Sequence, residues 1–160
     1  ALTLTAVHRH RPSSTEVRHF RALFAHTRHE EPLDPTDPRQ LSTPVREEIL
    51  RAAATREVRV VPVPAIVPAH RKRGVDPGLL VVTTFDGRRG QLLAGVAMQR
   101  AWLAAVDHGM TGEPLLEPFA AREFRQRMAR HAGVDGSPQV LLVVGSVGRG
   151  EDARGPTAPA

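Results

Sequence analysis

The chain has 160 residues, which is enough for one domain with a hydrophobic core, and it contains no cysteine, so disulfide bonds, thiolate metal ligands and cysteine nucleophiles are excluded. Its formal net charge of +5 rests on 22 basic residues, all arginine except Lys72, and this balance favours an anionic cofactor or a polyanion without identifying one. Because no apolar run reaches membrane-spanning length and the first residues lack the apolar part of a signal peptide, we expect a cytoplasmic protein with no membrane span.

The first part of the chain predicts two short helices on either side of a loop. Ser13 or Ser14 would cap a helix from about residue 15 to 27. Within this helix, the apolar residues Val17, Phe20, Leu23 and Phe24 lie at helical spacing. Prolines between residues 30 and 44 predict a loop, and a threonine-proline pair at its end begins a second helix over residues 43–55.

Histidines are concentrated near the start of the chain, where five of the eight lie within the first 29 residues. They are His8, His10, His19, His26 and His29. His26 and His29 would share one face of a helix, yet no carboxylate-bearing metal motif surrounds them. We therefore expect solvated surface histidines and predict no metal site.

The middle of the chain predicts two strands joined by an irregular segment. Residues 57–63 alternate in the manner of a strand, with Arg59 on the polar side, and the prolines that follow are typical of a sheet edge or a loop. Residues 79–85 predict a second strand. Between them, the basic cluster at residues 70–73 leaves nucleic-acid binding open as an alternative, but no aromatic residue lies nearby, so we favour a solvated loop and expect no nucleic-acid partner.

A long apolar helix is predicted over residues 91–108. Because it is apolar nearly all round, we expect it to be buried on most sides. Gly109 ends it, since glycine readily takes the left-handed conformation that follows many helices. Residues 111–114 predict a loop, and we expect Leu116 and its apolar neighbours to pack in the core beyond it.

A second helix and a third strand complete this region. Residues 120–132 predict an amphipathic helix in which Phe124 and Met128 face inward and the charged residues face water. A turn follows. The run 139–144 is too short for a helix and rich in β-branched residues, which predicts a buried central strand.

The region from residue 90 to 145 resembles the flavin-dependent nitroreductase superfamily, and it is most similar to the actinobacterial Acg-type branch. The resemblance rests on Ala94-Gly95, Ala97-Met98, Arg100, Leu103, Ala105, Gly109-Met110, Pro138-Gln139, Leu141-Leu142 and Gly145. It implies an α+β fold with a nitroreductase-like mixed sheet that is packed by helices and a long buried central helix. It also implies a single nitroreductase-like domain over residues 1–145, resembling a shortened C-terminal half of such a protein. The glycine- and proline-rich composition of residues 146–160 predicts a flexible tail.

The resemblance implies an FMN-dependent oxidoreductase that takes electrons from NAD(P)H and acts as a homodimer on nitroaromatic, quinone or flavin acceptors. In that family arginines hold the flavin phosphate, and Arg28, Arg149 and Arg154 are the nearest candidates here. The loop after the long helix approaches the flavin ring, which implies cofactor contacts from Leu116 and Glu117. No catalytic side chain is predicted, because the cofactor carries the redox chemistry.

This chain departs from the family pattern at two places. Glu30 and Glu31 stand close after Arg28, where the family has further arginines, and acids disfavour a bound phosphate. Pro118 stands where a glycine is usual, and proline cannot donate a backbone hydrogen bond. The alternative function is therefore a degenerate nitroreductase-fold protein that binds or sequesters flavin, or a non-catalytic interaction module.

Overall fold

The computed structural model describes residues 11–26, 41–63 and 78–146, and these form an α+β fold, as expected. The helices are α1 (Ser14–His26), α2 (Thr43–Ala53), α3 (Arg88–Asp107) and α4 (Arg122–Ala132). The strands are β1 (Val58–Val63), β2 (Gly78–Thr83), β3 (Met110–Leu115) and β4 (Ser137–Ser146), and a 3-10 helix, Glu117–Ala120, precedes α4. α2 and α3 cover one face of the sheet, α4 covers the other, and α1 packs on α3.

The described strands make one sheet in the order β1-β2-β4-β3, and all its pairings are antiparallel. A mixed sheet was expected, so this detail of the prediction is corrected. The reason is the position of β4. β2 and β3, which are joined through α3, run in the same direction and would make a parallel pair if they were neighbours. β4 lies between them and runs in the opposite direction, so both of its pairings are antiparallel.

The two inner strands are apolar at almost every position because helices cover both faces of the sheet. Leu79, Val81 and Leu142 belong to the core on the α2 and α3 side, whereas Leu80 and Leu141 belong to the core on the α4 side. None of the five is more than 3% exposed. β4 is therefore the buried central strand that the sequence predicts, although it extends further at both ends.

β3 lies where the sequence predicts a loop, and that prediction is wrong. The strand pairs with β4 along its whole length and forms an edge of the described sheet. Pro114 is tolerated there because an edge strand has one side on which no N–H is needed. Gly112 faces Trp102, and a Cβ at this glycine would lie 3.1 Å from Trp102 Cδ1. The strand was missed because glycine and proline are poor strand formers.

α3 is the predicted long central helix, and it begins at Arg88 rather than near residue 91. Gly90 makes the earlier start possible, since a Cβ there would lie only 2.4 Å from Phe85 O in the preceding loop. Small side chains then let the helix approach the sheet closely. The buried ones are Ala94, Ala97, Ala101, Ala104 and Ala105.

The expectation that α3 is buried on most sides is wrong for its first half. Leu92 is 73% exposed and Val96 is 49% exposed. Gly95 lies on the same side, and a Cβ built on it would have no neighbour within 4 Å in the described part of the chain. The sheet, α1 and α2 all contact α3, yet they leave these three residues exposed. Leu92, Gly95 and Val96 therefore form an uncovered apolar surface, here called the α3 strip.

α1 is capped as predicted, and its most buried described side chain is a small one. Ser13 Oγ accepts a hydrogen bond from Glu16 N–H at 3.2 Å, and Ser13 N–H donates to the Glu16 carboxylate at 2.7 Å, which makes a capping box. Of the apolar residues at helical spacing, Phe20 is 61% exposed, Leu23 is 42% exposed and Val17 is half-buried, whereas Ala22 is only 4% exposed. The reason is that α1 packs on another helix, where the small Ala22 allows close approach.

Candidate functional site

The loop after β3 contains Leu116 and Glu117, the two described residues for which the resemblance implies flavin contact. Leu116 is 58% exposed, and Glu117 and Pro118 are exposed as well. The expectation that Leu116 packs in the core is therefore wrong. Phe119 fills that role, because it is 5% exposed and its ring meets Phe124 edge to face, with centroids 5.1 Å apart.

Backbone hydrogen bonds fix this loop without using all of its donors. The Phe119 N–H donates to Leu116 O at 3.0 Å and closes the turn of the 3-10 helix. Among the described residues, no hydrogen-bond acceptor is seen for the N–H groups of Leu116 and Glu117. Pro118 has no N–H. The loop thus presents two backbone donors beside an exposed leucine, and this arrangement fits a planar ligand with a polar edge and an apolar face, as a flavin ring has.

A polar corner lies at the same end of β4 as this loop, where the chain also leaves β2. Thr83 is 1% exposed, and its hydroxyl lies 2.8 Å from Phe85 O and 3.2 Å from Ser137 O. The same hydroxyl accepts a hydrogen bond from Gln139 Nε2 at 3.1 Å. Gln139 Nε2 also lies 3.4 Å from Asp86 Oδ1. These contacts fix the position of the Asp86 carboxylate.

Asp86 and Arg125 form an ion pair at this corner, with Arg125 Nη2 2.8 Å from Asp86 Oδ2. Arg125 Nη1 also donates to Phe119 O at 2.6 Å. Desolvation would raise the pKa of Asp86, but the hydrogen bond from Gln139 and the charge of Arg125 outweigh it and hold this pKa below its usual value of 3.8. The carboxylate is therefore ionised at neutral pH and neutralises Arg125.

A cleft of about 360 Å³ opens beside this ion pair and is here called the α4 cleft. Side chains of α4 form one wall and the corner residues form the other. The polar lining consists of Arg122, Arg125, Gln126 and Arg130 on the α4 side and Asp86 and Ser137 opposite them. Three guanidinium groups against one carboxylate leave this lining with a net charge of +2.

From sequence alone, the arginines of α4 are predicted on a water-facing side and are not grouped as a site. The signal was present, because residues 122, 126 and 130 repeat at intervals of four and so lie along one helix face. What the sequence lacks is the opposite wall. Asp86 and Ser137 are supplied by loops that are distant in sequence, and only the fold brings them to α4.

A second group of charges ties α1, α2 and α3 together. Glu48 lies 3.1 Å from Arg18 and 3.2 Å from His108 Nε2, and Arg18 lies 3.6 Å from Asp107. Desolvation would raise the pKa of Glu48, but the hydrogen bond with His108 and the charges of His108 and Arg18 lower it below 4.5. These side chains join three helices at the surface, and we assign them a structural role.

Several predicted positions lie outside the described residues. They include Arg28, Arg149 and Arg154, the candidates for the flavin phosphate, and the basic cluster at residues 70–73. Ser146 ends β4, and the rest of the expected tail is likewise outside. Among the described residues, no three His, Asp or Glu side chains are placed to hold a metal ion. In the same part of the chain, no helix has both the length and the apolar character needed to cross a membrane.

Comparison with solved structures identifies the fold as that of nitroreductases. No protein-family model and no curated protein matches the sequence. A protein of Bacteroides thetaiotaomicron, provisionally described as an NADH dehydrogenase/NAD(P)H nitroreductase, is 15% identical and superposes with a TM-score of 0.65. The alignment covers 82% of this chain and 89% of the Bacteroides chain.

Two further structures of this fold belong to proteins whose descriptions name FMN. A Desulfovibrio desulfuricans protein, provisionally described as a nitroreductase and solved in complex with FMN, is 18% identical over 87% of this chain and 91% of its own, with a TM-score of 0.62. The NADPH:FMN oxidoreductase of Vibrio harveyi is 14% identical over 82% of this chain and 70% of its own, with a TM-score of 0.58. At these identities the likeness establishes the fold of this chain.

Proposed function

We propose that this protein is a cytoplasmic FMN-dependent oxidoreductase that takes electrons from NAD(P)H and works as a homodimer. The acceptor would be a nitroaromatic, a quinone or a flavin. The observation that carries the proposal is the nitroreductase fold, shared with a protein that binds FMN and with an NADPH:FMN oxidoreductase, together with the exposed Leu116 and Glu117 after β3. FMN, when bound, accepts hydride and passes electrons to the acceptor.

The role of the protein chain itself would be to bind and orient the cofactor. The N–H groups of Leu116 and Glu117 would donate to the polar edge of the ring, and the Leu116 side chain would cover part of its apolar face. Because Pro118 has no N–H, the donors end at Glu117. For the phosphate we propose Arg28, Arg149 and Arg154, since a guanidinium group can form two parallel hydrogen bonds with phosphate oxygens.

The α3 strip supports the homodimer. Leu92 and Val96 are four residues apart, so their exposed side chains lie one turn apart on the same face. Gly95 beside them allows the backbone of another helix to come close. A second copy that covers this strip would remove apolar surface from water and bring two candidate flavin loops into one assembly.

The finer assignment is an Acg-type protein whose chain corresponds to a shortened C-terminal half. In that interpretation, dimerisation supplies the second half of each flavin site. The alignment with the Bacteroides protein covers 89% of that chain, so the match to the fold does not require a half-length origin. The dimer proposal therefore depends on the α3 strip rather than on the length of the chain.

The test is reconstitution followed by turnover. Purified protein is incubated with FMN, freed of excess flavin, and assayed for NADH and NADPH oxidation with a quinone and with a nitroaromatic. Arg28→Gln and Arg149→Gln should each weaken FMN binding by roughly 10- to 100-fold, because each removes a charge-assisted hydrogen bond to phosphate. Arg51→Gln, an exposed arginine on α2, is the matched control and should bind FMN as the parent does.

Two results separate the proposal from its alternative. Retention of FMN with NAD(P)H oxidation supports the oxidoreductase. Retention of FMN without turnover of any acceptor would favour a protein that binds or sequesters flavin, for which the absence of an N–H at Pro118 is the structural argument. If FMN is not retained at all, both flavin-dependent functions are ruled out and the non-catalytic interaction module remains.

A further inference from the structure

The α4 cleft carries positive charge that the proposed function does not use. The Arg125 guanidinium is already occupied, because it pairs with Asp86 at 2.8 Å and donates to Phe119 O. Arg122 and Arg130 differ. Within the described part of the chain, no hydrogen bond or ion pair is seen for either of their side chains. The charge of +2 therefore resides on two guanidinium groups that are free to bind an anion.

The spacing of the two arginines suits a single small anion. Arg122 and Arg130 are separated by eight residues, or about 12 Å along the axis of α4, and Gln126 lies midway between them on the same face. Long side chains can close over the midpoint from both ends, where the Gln126 amide donates as well. Ser137 adds a hydroxyl group from the opposite wall of the cleft.

The position of Arg122 within the helix also points to an anion. It is the first residue of α4, and no side chain caps this end of the helix. The positive end of the helix dipole and the uncapped N–H groups disfavour a cation there. An anion bound in the cleft would turn that unfavourable contact into a favourable one, because it would meet both the guanidinium group and the helix end.

We propose that the α4 cleft binds the dianionic phosphate group of a small phosphate monoester, with Arg122 and Arg130 as the two clamping residues and Gln126 between them. A volume of about 360 Å³ lies at the small end of the range for ligand sites, so the organic part is small. The ionised Asp86 on the opposite wall accepts hydrogen bonds and suits a hydroxyl group of that organic part. This site is separate from the loop at Leu116 and Glu117, which does not line the cleft.

The experiment is a calorimetric titration of the full chain at low salt with inorganic phosphate and with glycerol phosphate, each in a separate arm. We expect saturable binding of one ligand per chain. Tighter binding of glycerol phosphate identifies an organic phosphate as the ligand, whereas equal binding identifies free phosphate as sufficient. Each increase in salt concentration should weaken binding, because charge pairs at a partly exposed site are screened.

The variant that tests the assignment is Arg122→Gln combined with Arg130→Gln, and we expect its affinity for either probe to fall by roughly 100-fold. Arg127→Gln is the matched control: it lies on the same helix with its guanidinium over the Phe124 ring, 5.7 Å from the centroid, and it does not line the cleft. We expect its affinity to stay within about twofold of the parent. Circular dichroism of each variant confirms the fold.

Two outcomes would overturn the proposal. One is the absence of saturable binding of both probes to the parent protein. The other is equal weakening by the double variant and by Arg127→Gln, which would show a diffuse attraction to charge. FMN affinity is measured on the same variants and should not change. A protein that fails to bind FMN can still bind phosphate in this cleft, so failure of the two proposals is distinguishable.

Discussion

The two faces of the sheet are covered by helices that use side chains of different size. On the first face α3 lies close to the strands through alanines, five of which are buried. On the second face the core is filled by larger residues from the 3-10 helix and α4, chiefly Phe119 and Met128. Both faces exclude water equally well, since Leu142 and Leu141 on the two sides are 0% and 3% exposed.

This difference in packing separates two kinds of surface. Close packing through alanine holds one side of α3 against the sheet. α1 also contacts this helix, and the α3 strip is left uncovered. Packing through larger residues leaves α4 over the end of the sheet, where its arginines meet the loops before α3 and β4. The helix layer on the first face thus exposes an apolar surface, whereas the helix layer on the second face lines a charged cleft.

The largest effect should come from opening a cavity under α3. Leu142→Ala removes a side chain that is 0% exposed, and we expect it to lower the free energy of unfolding by about 2–5 kcal/mol. The measurement is urea unfolding followed by the emission of Trp102. Leu23→Ala on α1, where the side chain is 42% exposed, is the control and should cost under about 1 kcal/mol. Equal losses in the two variants would contradict the assigned core.

The next effect distinguishes the two packing modes directly. Ala101 is 0% exposed in the alanine layer, so Ala101→Leu should overpack it and cost about 1–3 kcal/mol. Ala129→Leu on α4 adds the same atoms beside an open cleft and should cost less than about 1 kcal/mol. Thermal unfolding of both variants checks this. A larger loss for the α4 variant would reverse the comparison.

The α3 strip should control association. Leu92→Asp with Val96→Asp places charge where the homodimer buries apolar surface, so we expect the dissociation constant of the dimer to rise at least about tenfold, or about 1.4 kcal/mol. Sedimentation velocity over a range of concentrations measures it. Leu23→Asp, an exposed leucine on α1, is the control and should leave association unchanged. An unaltered dimer in the double variant would place the interface elsewhere.

The smallest effect concerns the Asp86–Arg125 ion pair and its pH dependence. The pKa of Asp86 in the folded state lies below its usual value of 3.8, so the ion pair stabilises the fold above that value and this contribution is lost as the pH falls through the lower, folded-state pKa. Because Asp86 is 49% exposed, we expect under about 1 kcal/mol. Asp86→Asn should therefore be less stable than the parent at pH 7 and differ from it less at pH 3. A constant difference across this range would contradict the assignment.

Much of the fold follows from local pattern, because helix periodicity and apolar runs depend on neighbouring residues. That is why α3, α4 and β4 were predicted close to their observed positions. β3 was missed because its pairing depends on β4, which comes later in the chain, while its own Gly112 and Pro114 indicate a loop. The burial of Ala22 rather than Phe20 on α1 does not follow from local pattern, because a contact between helices favours a small residue.

For the site, the family pattern extends only to Leu116 and Glu117 among the described residues. Both are exposed, and their role in binding stays a prediction. The α4 cleft has no such pattern, since Arg122 and Arg130 look like any solvated helix face until Asp86 and Ser137 are placed opposite them. Charged side chains on one helix form a cleft only when other residues lie opposite them, and the tertiary structure places those residues there.

The measurement that tests the central proposal most directly is an FMN titration of the purified chain, with the oligomeric state recorded on the same sample. Trp102 is the single tryptophan and packs on Gly112 of β3, the strand that leads to the flavin loop, so its emission should report binding. We predict saturable quenching at one FMN per chain in a dimer. An unchanged emission, together with no bound flavin after gel filtration, would contradict an FMN-dependent oxidoreductase.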